Sequence, residues 1–218
     1  MSEVKAAIFD LDGTLLDNNK VHLDAWKKYL KDNGMEISDE DFKKNISGRT
    51  NRDAVNHIYK KEMPEEEAEK HYLKKEEIYR QMYEKDITPI AGLQNFLEEL
   101  SKHNIIMAIA TSGIQVNIDF MFEHVPIKKY FKKIIKGKDV TKGKPDPEIF
   151  IKAAEALGMP AESCIVFEDS MAGVKAGKAA GMKVVALTTS HPAEELNEAD
   201  MVIKDYTSIT YDRLKSLP

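Results

Sequence analysis

Residues 4–14 read VKAAIFDLDGT, a short apolar run that ends abruptly in two aspartates and a glycine. Unbroken hydrophobicity over a few residues is typical of a strand that a parallel sheet buries on both faces. Side chains two residues apart at a strand end point the same way, so Asp10 and Asp12 are predicted to face one pocket. Gly13 permits a sharp exit from the strand. A bare Asp-x-Asp is usually a pair of solvated loop acids. Because this pair directly follows a strand, it indicates one ionised nucleophile and one protonated general acid.

Three further apolar runs repeat the strand pattern, at residues 105–110, 164–167 and 183–187. Helical patterns lie between and around them, and Pro147, Gly158 and Gly181 stand where a helix begins or ends. Alternating strands and helices predict an α/β fold with a doubly wound parallel sheet. Ligands of such sheets bind at the carboxyl ends of the strands. The helical patterns span residues 92–102, 114–124, 147–157 and 171–180.

A long gap separates the first predicted strand, which ends near Phe9, from the second, which begins near Ile105. An ordinary crossover needs far less chain. The gap contains helical patterns rather than a flexible linker, so we predict a small helical domain inserted after the first strand. Its predicted bounds are residues 16–85, and residues 1–15 and 86–218 form the core domain. The inserted helical patterns span residues 20–33, 52–62 and 65–84.

The composition excludes several classes of protein. The chain has 218 residues, of which 42% are hydrophobic and 32% charged, and its formal net charge is −5. A mildly acidic chain argues against nucleic-acid binding, which depends on clustered lysines and arginines. The one cysteine, Cys164, allows no intrachain disulfide and is typical of a reducing compartment. No signal-peptide pattern, membrane-length apolar run or long apolar stripe is present, so we expect a cytoplasmic monomer without a membrane partner.

Four motifs together resemble those of the haloacid dehalogenase (HAD) superfamily. Residues 9–17, FDLDGTLLD, resemble its first motif, and Thr111-Ser112-Gly113 resemble its second. Lys144 resembles the third motif, and Glu168-Asp169-Ser170 the fourth. The motifs stand in the family's order and at its strand ends. The resemblance implies a Rossmann-like core with a helical C1 cap, and the subgroup it points to is the β-phosphoglucomutase-like phosphatases.

The resemblance also implies a role for each matching residue. Asp10 would attack phosphorus and form an aspartyl-phosphate. Asp12 would protonate the leaving oxygen and then deprotonate the water that hydrolyses the intermediate. Thr111 would donate its hydroxyl to a phosphoryl oxygen, and the backbone N–H groups of Ser112 and Gly113 would complete a phosphate cradle.

The remaining motif residues are implied to balance charge around the phosphoryl group. Lys144 would neutralise charge that Asp10 and the phosphate share. Asp169 would bind Mg²⁺ together with Asp10 and the main-chain carbonyl of Asp12, because oxygen ligands suit this hard cation. Glu168 is implied to be either a direct ligand or a support for the ligands. Taken singly, each of these residues is explained as well by a helix cap or a surface charge.

The inserted helices are expected to contact the substrate. His22 and Trp26 are four residues apart on one helix face, and Trp26 is expected to lie in the apolar core of the insertion. Gly48-Arg49-Thr50-Asn51-Arg52 interrupts the helical pattern and resembles the family's specificity loop, where arginines can meet a phosphorylated ligand. A polar turn is the alternative for this loop. Lys75 is a further candidate that a solvated helix face explains equally well.

Residues 128–144 hold eight lysines in seventeen positions. The ordinary interpretation is a solvated helix and loop. A positive field near Lys144 that attracts anionic substrates is the functional alternative.

Three functions are compatible with these motifs, and in each the partner is a small phosphorylated metabolite. They are hydrolysis of a phosphate ester, isomerisation by a β-phosphoglucomutase-type mutase, and phosphate binding without catalysis. Intact motifs argue against the third, and Asp12 with a metal site argues against a dehalogenase. The mutases resembled here carry a Ser-Lys pair where this chain has Gly113-Ile114, and an arginine where it has Asn51. Both departures weaken a second phosphate site, so we expect the phosphatase.

Overall fold

A six-stranded sheet in the order β3-β2-β1-β4-β5-β6 lies at the centre of the computed structural model, which describes residues 3–217. All neighbouring strands are parallel, which confirms the predicted doubly wound α/β fold. The four strands expected from the apolar runs form β1, β2, β4 and β5. The strands are β1 Ala6–Phe9, β2 Ile106–Thr111, β3 Phe131–Lys136, β4 Cys164–Glu168, β5 Lys183–Leu187 and β6 Met201–Ile203.

Helices cover both faces of the sheet because its central strands are apolar on both sides. The α-helices described within residues 3–217 are α1 Asn19–Asp32, α2 Asp39–Asn45, α3 Asn51–Tyr59, α4 Glu65–Tyr83, α5 Leu93–Lys102, α6 Gln115–His124, α7 Glu148–Leu157, α8 Met171–Ala179 and α9 Tyr211–Lys215. Along β1, Ala7 and Phe9 join an apolar cluster with α5, α6 and α9, whereas Ala6 and Ile8 join a second cluster with α7 and α8. In this part of the chain, no helix is both long and apolar enough to cross a membrane.

The strand order reverses between β1 and β4, because β2 and β3 lie on one side of β1 and the later strands lie on the other. Ligands of doubly wound sheets bind at the carboxyl ends of the strands at such a switch point. Asp10 follows β1 directly, Thr111 ends β2, and Glu168 ends β4. Three separate segments therefore deliver their motif residues to one edge of the sheet.

Helices α1 to α4 form the insertion after β1 and pack around an apolar cluster of their own. Trp26 belongs to this cluster and is 1% exposed, as predicted. The two segments that join the insertion to the core run side by side. Asp17 donates its N–H to the Thr88 carbonyl at 2.9 Å, and Ile90 donates to the Leu15 carbonyl at 3.0 Å. We propose this pairing as the boundary between the core and the cap.

The two edge strands, β3 and β6, were not predicted. The structure places β3 within the lysine-rich segment 128–144, so the prediction of a solvated helix and loop there was wrong. Lys132 and Lys133 of β3 are exposed, while Ile134 and Ile135 are partly buried against the sheet. An edge strand meets a neighbour on one side only and carries lysines that discourage further pairing. It therefore lacks the continuous apolar run that marks a central strand.

Candidate active site

Asp10 follows β1 and is held by a buried lysine. Its backbone N–H donates to the Phe167 carbonyl at 2.9 Å and so extends the pairing of β1 with β4. Lys144 is 1% exposed, and its Nζ donates to Asp10 Oδ1 and to Glu168 Oε1, at 2.6 Å in each case. One ammonium group thus connects the carboxylates that follow or end two neighbouring strands.

Glu168 is completely buried, and protein groups use both of its oxygens. Beyond the Lys144 contact, Oε2 accepts from the backbone N–H groups of Asp169 and Ser170 at 2.8 Å each, and from the Ser170 hydroxyl at 2.9 Å. Gly173 leaves room for this carboxylate, since a Cβ there would lie 1.8 Å from Glu168 Oε1. With its oxygens occupied in this way, Glu168 suits a supporting role better than direct ligation of a metal.

Asp169 points into the same space and is held from the other side. Its Oδ2 accepts a hydrogen bond from Asn19 Nδ2 at 2.7 Å and another from the Ser190 hydroxyl. Gly13 passes close by with a φ of +72°, and a Cβ at this position would lie 2.0 Å from Asp169 Oδ2. The sharp turn predicted at Gly13 therefore also clears space for the metal-ligand candidate from the fourth motif.

We call Asp10, Glu168 and Asp169 the carboxylate cluster, because one oxygen from each lies within 4.8 Å of the others. Burial raises the pKa of Asp10 to about 7, with the Lys144 ammonium opposing this rise and the Glu168 carboxylate reinforcing it. Burial and the neighbouring carboxylates also raise the pKa of Asp169 well above its usual range. Buried negative charge is thus only partly compensated by Lys144, and protons or a cation are needed to stabilise it.

The carboxylate cluster fits a divalent metal ion. Its donors are carboxylate oxygens, which hard cations such as Mg²⁺ and Ca²⁺ prefer. The partial compensation by Lys144 leaves charge for such an ion to balance. Asp10 and Asp169 are the members whose side chains line the pocket, whereas Glu168 lies behind them. These two residues would hold the ion, and Glu168 would keep Lys144 and the turn after β4 in place.

Asp12 faces the pocket across from the cluster and has a different environment. Asn18 donates from Nδ2 to Asp12 Oδ1 at 2.6 Å, and its Oδ1 accepts the Gly13 N–H at 3.0 Å. The Nε2 atom of His22 lies 3.2 Å from Asp12 Oδ1. Burial acts to raise the pKa of Asp12, but His22, Asn18 and the Lys75 ammonium together lower it below its usual value.

His22 lies in the pocket wall with its orientation defined on both sides. Its ring stacks on Tyr79 with centroids 3.9 Å apart and an interplanar angle of 8°. Lys75 donates from Nζ to His22 Nδ1 at 2.9 Å. An ammonium group has no lone pair, so Nδ1 must be the acceptor and the proton of a neutral ring must sit on Nε2, facing Asp12. Among residues 3–217, Nε2 has no well-aligned hydrogen-bond partner, so its contact with Asp12 is mainly electrostatic.

Lys75 departs from the interpretation as a solvated lysine, because it is only 2% exposed. It contacts His22 and pairs with Glu76 Oε1 at 2.9 Å. Its Nζ also lies 5.2 Å from the centroid of the Trp26 ring. Its position on α4 matches the spacing of the buried tyrosines 72, 79 and 83, so the register of that apolar stripe would have indicated its burial.

The second motif forms the wall of the pocket next to Asp10. Gly113 donates its N–H to Thr111 Oγ1 at 2.9 Å, which leaves the hydroxyl proton of Thr111 free to reach a ligand oxygen. Ser112 donates its hydroxyl to the Gly48 carbonyl at 3.0 Å and so joins the core to the cap loop. Helix α6 begins at Gln115, so Ser112 and Gly113 precede the helix rather than form its first turn.

Residues 48–52, which we call the cap loop, lie over the pocket. Some of them line the catalytic pocket, and others line a neighbouring cleft. Arg49 and Asn51 line the catalytic pocket, a cavity of about 60 Å³. Thr50 does not line it. Its hydroxyl accepts the Asp53 N–H at 3.1 Å and caps α3, and its side chain faces a neighbouring polar cleft of about 570 Å³ that Asn51 also lines. Polar residues of the cap loop therefore face the core motif residues across this pocket.

Sequence reasoning missed several polar residues that the structure brings to the site or directly behind it. Asn18 lies four residues before His22, at the spacing of one helix face, which was an available signal. Asn19 contacts Asp169 across 150 residues of sequence, which no local pattern indicates. The others include Tyr79, Ser190, Glu76 and Asn117.

Known proteins resemble this chain in sequence and in fold. Residues 7–187 match the family described as haloacid dehalogenase-like hydrolase. Validoxylamine A 7′-phosphate phosphatase of Streptomyces hygroscopicus subsp. limoneus is 29% identical over 96% of this chain and 98% of that protein. β-Phosphoglucomutase of Bacillus subtilis is 30% identical over 97% of this chain and 94% of that protein. Among solved structures, a HAD hydrolase of family IA, variant 3, from Entamoeba histolytica shares 33% identity over 98% of this chain and 99% of that chain, with a TM-score of 0.88.

The chain belongs to the haloacid dehalogenase-like hydrolase family. The match includes the strands and motif residues from β1 to β5. Within that family it falls with the β-phosphoglucomutase-like proteins, and it is an enzyme of the phosphoric monoester hydrolase class.

Proposed function

We propose that this enzyme is a Mg²⁺-dependent phosphatase of small sugar or polyol phosphates that acts through an aspartyl-phosphate at Asp10. The observation that carries the proposal is the pair of contrasting environments after β1. Asp10 contacts Lys144 and belongs to the carboxylate cluster, whereas Asp12 contacts Asn18 and His22. Two carboxylates with separate partners at one pocket suit separate chemical roles. The named phosphatase relative supports hydrolysis.

In the first step, an ionised oxygen of Asp10 attacks phosphorus, and the bond from phosphorus to the ester oxygen breaks. Asp12 gives its proton to that leaving oxygen, and the alcohol departs. In the second step, water attacks the phosphorus of the aspartyl-phosphate and gives a proton to Asp12. The bond between Asp10 and phosphorus breaks, which releases inorganic phosphate, restores the Asp10 carboxylate and leaves Asp12 protonated for the next cycle.

Charge at the site favours these protonation states once a substrate is bound. An anionic phosphoryl group beside Asp12 disfavours the ionised carboxylate and so raises its proton affinity from the low starting value. Lys144 stabilises the ionised form of Asp10 and shares charge with the phosphoryl oxygens as they approach. Thr111 donates its hydroxyl proton to one of those oxygens.

Mg²⁺, when bound by Asp10 and Asp169, supplies positive charge that lets the nucleophile and the phosphoryl group approach each other. By family analogy the main-chain carbonyl of Asp12 is a third ligand. Asn19 and Ser190 orient Asp169 for this task, since both donate to its Oδ2 atom.

Cys164 is buried and free, which fits a reducing compartment, and we place the enzyme in the cytoplasm as a monomer. Gel filtration at micromolar concentration measures its molecular mass and so tests whether it is a monomer. A mass near 24.7 kDa is expected.

The alternative is a mutase that returns the phosphoryl group to a second hydroxyl of the sugar. Such an enzyme must hold a distal phosphate while it excludes water. Asn51 faces the pocket where the mutases resembled here have an arginine, and Gly113-Ile114 stands in place of their Ser-Lys pair. The arginines of this loop are displaced to the flanking positions 49 and 52, which weakens a site for a distal phosphate, so water is the expected acceptor.

One assay tests both functions. The enzyme receives β-glucose 1-phosphate with a catalytic amount of β-glucose 1,6-bisphosphate, while glucose 6-phosphate and inorganic phosphate are followed together. A parallel panel of sugar and polyol phosphates ranks substrates by kcat/KM. Dominant release of inorganic phosphate supports the phosphatase. Rapid formation of glucose 6-phosphate with little free phosphate would establish the mutase instead.

A further inference from the structure

A chain of buried polar contacts leads from the pocket to the back of α6. Lys75 connects His22 Nδ1 to Glu76 Oε1, with both contacts at 2.9 Å. Glu76 uses its other oxygen, Oε2, to accept from Asn117 Nδ2 at 2.8 Å. Asn117 in turn accepts at Oδ1 from Arg80 at 2.8 Å. Together with the His22 contact to Asp12, these bonds form one continuous network.

The network is buried and joins the two parts of the molecule. Lys75 and Glu76 are each 2% exposed, and Asn117 is 5% exposed. Lys75, Glu76 and Arg80 lie on α4 of the cap, whereas Asn117 lies on α6 of the core. The core therefore supplies the donor to the second oxygen of Glu76. It can do so only when α4 is docked against α6 as in this structure.

We propose that Glu76 and Asn117 are positioning residues for Asp12, acting through Lys75 and His22, and that cap docking completes this arrangement. The proposal rests on the proposed phosphatase function, in which Asp12 is the general acid. It extends that function, because it makes the alignment of the acid depend on a contact between cap and core.

The physical argument starts at Lys75. A buried ammonium group is stable only with compensating charge, which Glu76 provides. Paired in this way, Lys75 donates to His22 Nδ1 and selects the ring form that carries its proton on Nε2, toward Asp12. Without the hydrogen bond from Asn117, one oxygen of Glu76 would be buried and unpaired, so the carboxylate would turn away and loosen its hold on Lys75.

The first test uses Glu76→Gln, with Glu77→Gln as the matched control. Glu76→Gln removes a buried carboxylate that is paired with Lys75. Glu77→Gln makes the same exchange at the next residue, where the carboxylate is exposed. An alkyl phosphate needs its leaving oxygen protonated, whereas an activated aryl phosphate needs little protonation. We expect Glu76→Gln to lower the ratio of kcat/KM for alkyl over aryl phosphate about tenfold, a part of what general acid catalysis contributes.

The second test replaces the donor from the core with a carboxylate oxygen. Asn117→Asp keeps an acceptor for Arg80 but places a carboxylate oxygen against Glu76 Oε2. Gln115→Glu makes the same amide-to-acid exchange at an exposed position of the same helix and serves as the control. The alkyl-to-aryl ratio is expected to fall about tenfold in Asn117→Asp and to stay within about twofold in the control. A proportional loss on both esters, or an unchanged ratio in both variants, would overturn the proposal.

A third measurement does not depend on activity. The ¹⁵N shifts of His22 in the wild-type protein report which ring nitrogen carries the proton. We expect an unprotonated Nδ1 and a protonated Nε2, with a mixture of ring forms in Asn117→Asp. A proton on Nδ1 in the wild type would contradict donation from Lys75 and overturn the proposal even if the variants fail to fold. If the wild type hydrolyses neither ester while His22 has the expected form, the proposed function fails and the contact network stands.

Discussion

At the residue scale, the chemistry of this site depends on which partner each carboxylate contacts. Asp10, Asp12 and Asp169 line one pocket and Glu168 lies behind it, yet each has a different set of donors. Lys144 is buried against two of these carboxylates. Burial alone would lower the pKa of Lys144, but the charges of Asp10 and Glu168 outweigh this effect and raise the pKa above its usual value. The ammonium therefore stays charged at every pH at which the enzyme is expected to work.

The nucleophile gives the first prediction. Asp10→Asn should lower phosphate release by at least about 10⁴-fold, because an amide cannot form the aspartyl-phosphate. The folded protein should be as stable as the wild type or more stable, since the exchange removes a carboxylate whose pKa burial raises to about 7. Steady-state phosphate release and thermal melting measure both effects. Asp17→Asn, the same exchange at an exposed position, should change neither. Substantial turnover by Asp10→Asn would refute the covalent mechanism.

Gly173 gives the second prediction at this scale. A Cβ at this position would collide with Glu168 Oε1, so Gly173→Ala should displace Glu168 and with it the contact to Lys144. We expect a loss of about 2 kcal/mol in the free energy of unfolding, typical of an overpacked interior, and a larger proportional loss of activity. Urea denaturation and kcat/KM are the measurements. Lys175→Ala on the exposed side of the same helix should stay within about 0.5 kcal/mol. Wild-type activity in Gly173→Ala would show that Glu168 does not need this space.

At the element scale, burial decided what could be predicted from sequence. Central strands such as β1 have four consecutive buried residues and a matching apolar run. The edge strand β3 has partly exposed lysines and no such run, so its pairing with β2 was not visible locally. The sequence left Lys75 open between a substrate contact and a solvated helix face, and it did not single out Glu76, for the opposite reason. They are charged residues inside a buried stripe, and their pairing depends on residues far away in sequence.

The contact between the cap loop and the core gives the third prediction. A Cβ at Gly143 would lie 2.5 Å from Thr50 Cγ2, so Gly143→Ala should push the loop outward and open the pocket. We expect kcat/KM for phosphate esters to fall about tenfold, with a change of less than about 1 kcal/mol in the free energy of unfolding, because the contact is peripheral to the core.

The control for this prediction is built into the contact. Thr50→Ser removes the colliding methyl group but keeps the hydroxyl that caps α3. Adding it to Gly143→Ala should recover part of the lost kcat/KM, whereas Thr50→Ser alone should have little effect. If the double variant is no better than Gly143→Ala, crowding against Thr50 does not explain the loss.

At the scale of the whole molecule, topology explains both the reach and the limit of sequence analysis. The doubly wound sheet brings Asp10, Thr111 and Glu168 to one edge. Each of these residues can be recognised in the sequence because it follows or ends an apolar run. Motifs at strand ends are therefore predictable, because the strand that precedes each motif can itself be predicted from its apolar run. Asn19 and Asn117 are not predictable in this way, since only tertiary packing places them against Asp169 and Glu76.

The last prediction joins folding, pH and the metal. The pKa of Asp10 is about 7 in the folded chain and 3.8 as its ordinary value, and that of Asp169 is raised as well. Raised carboxyl pKa values favour the folded state at low pH, where the folded chain keeps its protons. That stabilisation is complete below pH 3.8 and is lost as the pH rises toward about 7. A divalent cation competes with these protons, so its stabilising effect should grow over the same interval and level off above it.

Thermal melting at pH 5.5, 6.5 and 7.5, with excess Mg²⁺ or excess chelator, measures this coupling. At about one hundred times its Kd, Mg²⁺ should add about 2.7 kcal/mol of stability near neutral pH, which is about 5–10 °C in Tm. Asp169→Asn should melt higher than the wild type in chelator and respond less to Mg²⁺, because it removes one buried charge and one ligand. Asp17→Asn is the control at an exposed position. A Mg²⁺ effect on Tm that is independent of pH, or that is undiminished in Asp169→Asn, would show that the ion does not bind at the carboxylate cluster.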